Sequence, residues 1–154
     1  MRAHAPDILD SLSSGVVLLD ESLLIVSLNA AAQDILGVSE GRARGKSLLR
    51  LVDDEPEMRD ILSRVVTTGD HYANEMHLGP NEVHDDERVV DCHVSPIMAG
   101  RARLLVEIID VTRRAQITRE NALLIQHGAG RQMIRQLAHE IKNPLGGIRG
   151  AAQL

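Results

Sequence analysis

Towards the C-terminus, His139-Glu140-Ile141-Lys142-Asn143-Pro144-Leu145 sets an imidazole beside a carboxylate, with a carboxamide one helical turn later. A neutral imidazole is a nucleophile when one ring nitrogen keeps its lone pair and the other carries a proton held by an acceptor. Glu140 is the neighbouring acceptor. Asn143, at i+4 from His139, shares its helix face, where its amide is placed to orient a water molecule. Pro144 has no N–H for the carbonyl of Glu140, which predicts a bend just after the imidazole, and Gly146-Gly147 adds pliancy.

These spacings have meaning only on a helix. Ile134, Leu137, Ile141, Leu145, Ile148 and Ala151 or Ala152 recur at threes and fours, the stripe of a helix that packs on other helices. His139 lies two residues past Leu137 and five past Ile134, so it is turned away from that stripe and faces solvent. Residues 113–154 are read as one long dimerisation helix. Gly128 and Gly130 each cost about 1 kcal/mol of helix propensity relative to Ala, which predicts a hinge or local fraying between them.

Upstream the apolar period changes. Ile8, Leu9 and Leu12 have helical spacing within Pro6–Ser13, and Gly15 closes that element. Val16–Asp20 and Leu23–Ser27 read as a hairpin turned at Asp20-Glu21-Ser22. Asn29 is the N-cap residue of an Ala-rich helix, Ala30 to Leu36, ended by Gly37. Ser39–Ser47 is loop or short helix, and Pro56–Thr67 is an amphipathic helix ending near Gly69. Strands follow at about His71–Leu78, Arg88–Pro96 and Arg101–Val111, the last with the apolar runs of a more central strand. The expected fold is α+β, a five-stranded antiparallel sheet with short helices followed by the long helix.

The order of elements resembles a PAS domain over about residues 6–112. The residues that carry the likeness are the Asn29 segment, Ile35-Leu36-Gly37, Gly45-Lys46-Ser47-Leu48 and Asp110-Val111-Thr112. The expected domains are a PAS sensor domain at 1–112 and, at 113–154, a linker with the first helix of a dimerisation and phosphoacceptor domain. Asp110, Val111 and Thr112 are read as the cap of that helix.

His139 to Leu145 resembles the H-box of sensor histidine kinases, and Arg135–Leu154 is most similar to their nitrogen-regulation branch, the NtrB family. The resemblance implies that His139 is the phosphoacceptor, taking the γ-phosphoryl group of ATP and passing it to an aspartate of an NtrC-like response regulator. It implies Glu140 as acceptor or base in that transfer, and Asn143 as the residue that positions water for the phosphatase reaction. It further implies a homodimer and a PII-type signal protein as partners. The family's second hairpin helix, asparagine-bearing nucleotide motif and ATP lid are not found in these 154 residues. ATP and Mg are therefore expected at a catalytic domain elsewhere in a longer parent protein, and the piece alone is expected to be inactive. The alternative is a PAS-based dimerisation or protein-interaction module without a catalytic role.

Composition sets outer bounds. Tyr72 is the only aromatic residue, so the core is aliphatic and offers no stacking platform for bases; nucleic acid is not an expected partner. An empty core is expected. Cys92 falls in a strand and the Pro56–Thr67 helix has no histidine, unlike flavin- and haem-holding PAS domains. A lone cysteine, short apolar runs and no signal-peptide pattern point to a cytoplasmic protein with no membrane span. The net charge of −5 divides into −10 for residues 1–111 and +5 for 112–154, which makes the C-terminal segment either a solvated helix face or a dock for an acidic partner. Two other signals fail: His139-Glu140 lacks the second histidine of a zinc-protease motif, and Gly41–Ser47 is one residue short of a P-loop. His71, His77, His84 and His93 have irregular separations, which favour solvated or edge positions over a metal cluster.

Overall fold

In a computed structural model, residues 5–52 and 55–152 are described, with side-chain surroundings for 7–52 and 56–142. The chain divides into two units, Met1–Thr112 and Arg113–Leu154. In the first, α1 (Ala5–Asp10) leads into β1 (Gly15–Leu19) and β2 (Ile25–Leu28). Next come α2 (Ala30–Leu36), α3 (Glu40–Ala43), a 3-10 turn at Leu48–Leu51 and α4 (Glu55–Thr68). β3 (Tyr72–Leu78), β4 (Arg88–Ala99) and β5 (Ala102–Asp110) complete a five-stranded sheet of order β2-β1-β5-β4-β3, antiparallel throughout.

Alternation along the strands sends one set of side chains into a single aliphatic core. Val17 and Leu19 of β1, Val90, Cys92 and Val94 of β4, and Leu104, Val106 and Ile108 of β5 point the same way. Ala32, Ile35 and Leu36 of α2 and Met58, Ile61, Leu62 and Val65 of α4 cover them. The last strand is central, flanked by β1 and β4, as its apolar runs predict.

Asn29 ties this unit together. Its Oδ1 accepts the N–H of Ala32, the expected N-cap bond, and also that of Val16, while its Nδ2 donates to the carbonyls of Leu9 and Ser14. One buried amide thus joins α1, β1 and α2. Gly37 closes α2 in the left-handed conformation at φ 65, and a Cβ there would run into the side chain of Asn81.

Several boundaries differ from the sequence reading. β2 begins at Ile25 rather than Leu23, because the Asp20 carboxylate accepts the N–H groups of Ser22 and Leu24 and Leu23 takes φ 62, which lengthens the turn. α1 stops at Asp10, whose carboxylate accepts the N–H of Ala30. Gly15 belongs to β1, where a Cβ would lie 2.9 Å from Ala32 Cα, so α2 packs directly on bare backbone. The 3-10 turn falls just after the segment read as loop or short helix.

The described residues of the second unit lie in one helix, α5 (Thr112–Ala152), whose first residue belongs to the first unit. It runs without a break through Gly128 and Gly130, so the expected hinge or fraying is not seen. The helix also continues through Pro144. Among the described residues no helix is long and apolar enough to cross a membrane.

Candidate functional site

α5 starts from an anchored point. Asp110 Oδ1 accepts the backbone N–H of Thr112 at 2.9 Å and its hydroxyl at 2.7 Å, the expected cap. The Thr112 hydroxyl oxygen in turn accepts the N–H of Val89 at 3.0 Å, and the N–H of Val111 donates to the Val89 carbonyl. Val111 and Thr112, the last residues of the first unit, are thus fastened to β4.

A buried cation lies behind this cap. The guanidinium of Arg88 donates from Nη2 to the carbonyl of Ile35 at the end of α2, and its Nη1 lies 4.0 Å from Asp110 Oδ2. A positive group at a helix C-terminus is favourably placed against the helix dipole. Burial holds the Arg88 pKa below its ordinary value, against the opposing pull of Asp110 and Asp34. Nε and Nη1 of Arg88 have no hydrogen-bond partner among the described residues.

Farther along α5 the structure places His139 and Glu140 on consecutive exposed positions. Consecutive helix positions point about 100° apart, and among the described residues no hydrogen bond joins the two side chains. The backbone of Asn143 is helical, one turn after His139; its side chain lies outside the described residues, as do those of Pro144, Gly146, Gly147, Leu145, Ile148, Ala151 and Ala152. Arg135 at i−4 and Lys142 at i+3 share the face of His139. The sequence reading did not single them out, although the basic charge of the segment was the signal for them. Two cations flanking an exposed imidazole favour an added anionic group on it.

Three of the other histidines serve local contacts. His71 Nδ1 lies 2.9 Å from Ser95 Oγ, His77 Nδ1 2.8 Å from Glu87 Oε1, and His84 Nε2 3.0 Å from the carbonyl of Asp34. His93 is exposed on β4. Clefts among the described residues of the first unit include one of about 330 Å³ bounded by Leu9, Val16, Leu28 and Gln33, and one of about 520 Å³ between Val66 of α4 and Met98 of β4.

A family model described as PAS fold matches residues 9–116, which includes the whole sheet and the Thr112 cap. The chain belongs to the PAS family. The crystal structure of the PAS domain of nitrogen regulation protein NR(II) from Vibrio parahaemolyticus has the same fold, with a TM-score of 0.57 and 23% identity over 71% of this chain and 99% of that one. Along its length the PAS chain is similar to the sensory histidine kinase/phosphatase NtrB of Escherichia coli O157:H7, 33% identical over 99% of this chain. It is 34% identical, over all of this chain, to NtrB of Salmonella typhimurium. In both cases the chain spans 43% of the relative's length.

Proposed function

We propose that this chain is the N-terminal sensor and phosphoacceptor part of a two-component histidine kinase of nitrogen regulation. The observation that carries the proposal is the likeness to NtrB over 99% of the chain, which runs past the PAS domain and through the exposed His139 segment of α5.

In this reading a ring nitrogen of His139 attacks the γ-phosphorus of ATP. The N–P bond forms, the P–O bond to the β-phosphate breaks and ADP leaves. Glu140 holds or accepts the ring proton, while Arg135 and Lys142 offset the charge gained. The phosphoryl group then passes to a carboxylate of an NtrC-like response regulator. Asn143 orients water for the reverse activity, which removes phosphate from that regulator. ATP and Mg are held by a catalytic domain supplied separately, and a PII-type protein biases kinase against phosphatase. The PAS domain senses and pairs in a cytoplasmic homodimer, with the second copy's α5 covering the apolar stripe of the first. Asp110, Val111 and Thr112 link the two units.

The test incubates the chain with a separate histidine-kinase catalytic domain and labelled ATP. An acid-labile label on the wild-type chain, absent from His139→Ala, supports the proposal. A label that survives His139→Ala overturns it, and no label on the wild type favours the interaction module.

A further inference from the structure

Exposed cations of the first unit have carboxylate neighbours: Arg42 lies 2.6 Å from Glu82, Arg44 2.8 Å from Glu40 and Arg101 3.7 Å from Asp20. Along α5 the pattern is different. Arg131, Arg135 and Lys142 are exposed, and the positions three and four residues before and after each of them hold no Asp or Glu. Glu140 is the one carboxylate between Asn121 and Lys142. Arg131 and Arg135 stand at i and i+4, a placement of like charges that destabilises a helix. Within α5 these cations bring a cost and no compensating contact, so what they gain lies in another molecule.

Their places round the helix are not scattered. At 3.6 residues per turn, Arg135, Lys142 and Arg131 stand about 40°, 60° and 80° to one side of His139, whereas Glu140 stands about 100° to the other. The three cations make a row about 16 Å long, between the imidazole and the apolar stripe of Ile134 and Ile141. Arg131 precedes His139 by about 12 Å along the axis, and helix side chains lean towards the N-terminus, so its guanidinium is beyond contact with a group on the imidazole. Charge gained at His139 accounts for Arg135 and Lys142 but not for Arg131.

We propose that Arg131, Arg135 and Lys142 together are the edge on which the response regulator docks, through a carboxylate-rich face that includes its phosphoryl acceptor. This rests on the phosphotransfer reading above. A phosphoryl group on His139 and the carboxylate that receives it are both anionic, and their approach is repulsive unless cations stand beside both. Arg135 and Lys142 stand beside the first, and Arg131 carries the positive charge on to the partner. Residues 1–111 hold −10 and residues 112–154 hold +5, so an acidic face is repelled by the first unit and drawn to α5. Nucleic acid is the other polyanion that a basic row attracts, but α5 has no aromatic residue on which a base could stack.

The test measures, by fluorescence anisotropy at low and high salt, binding of a labelled receiver domain of an NtrC-like regulator to the 154-residue chain. Gln has nearly the helix propensity of Arg, so Arg→Gln variants keep α5. At low salt Arg131→Gln is expected to weaken binding about threefold, and Arg131→Gln with Arg135→Gln about tenfold; high salt narrows both differences. Arg119→Gln removes the same charge about 140° round the helix from the row and about three turns before it, and is expected to bind as the wild type does. Unchanged binding of Arg131→Gln, or equal weakening by Arg119→Gln, overturns the inference, as does a DNA duplex of arbitrary sequence that displaces the receiver at equal concentration. In each of these cases the phosphotransfer reading stands if the receiver still takes label from phosphorylated His139. No transfer of label from the phosphorylated wild-type chain to the receiver removes that reading, and the inference with it.

Discussion

The thiol of Cys92 lies between Val90 and Val94 on the core face of β4, and burial pushes its pKa up to about 12. In the unfolded chain the thiol ionises near its ordinary value of 9.0. Between these values the unfolded state has lost the proton and the folded state keeps it. Its contribution is therefore complete below about pH 9 and is lost as pH rises towards 12, with a slope of up to about 1.4 kcal/mol per pH unit. Urea unfolding at pH 8, 9.5 and 11 should show a steeper loss of stability in the wild type than in Cys92→Ala; equal slopes would mean that the thiol is reached by water. At this scale the chain is legible where partners are close in sequence. Asn29 is readable as an N-cap because Ala32 is three residues away. Its bonds to Leu9, Ser14 and Val16 join segments separated by 13 to 20 residues, and no local pattern announces them.

The start of α5 shows the same division at the scale of elements. Asp110 and Thr112 are two residues apart, and their cap can be read from their types and spacing. The acceptance of the Val89 N–H by the Thr112 hydroxyl requires β4 to lie beside β5. Thr112→Val keeps the shape of the side chain and removes that acceptor, a loss of about 1–2 kcal/mol. The expected signature in hydrogen exchange is faster exchange of the Val89 amide, with the amides of β1 protected as before. Unchanged protection at Val89 would show that the hydroxyl does not hold the junction. Gly128 and Gly130 mark the converse case. Their propensity cost predicts a break, yet fourteen or more helical residues on either side carry the turn through.

On the whole-molecule scale, the apolar stripe of α5 is uncovered while the sheet's core face is fully covered. Ile134 and Ile141 are 68 and 61% exposed, so a monomer loses nothing when they become polar. Ile134→Asp with Ile141→Asp is expected to convert a dimer to a monomer in sedimentation equilibrium. Urea unfolding of the PAS domain should keep its midpoint. A dimer of undiminished strength in the double variant would move the contact away from this stripe.

What residues 1–154 determine by themselves is local. The change of period from two to 3.6, the caps and the turn residues set the kinds of element and their order, and the seven contiguous residues from His139 make the candidate site readable without a fold. Tertiary structure decided what depends on distant partners. It placed the last strand between β1 and β4, set the Arg88 guanidinium under the end of α2 and made Asn29 the joint of three elements. Strand pairing and burial join residues tens of positions apart, and each choice is settled by the combined packing of one shared core rather than by any short stretch of chain.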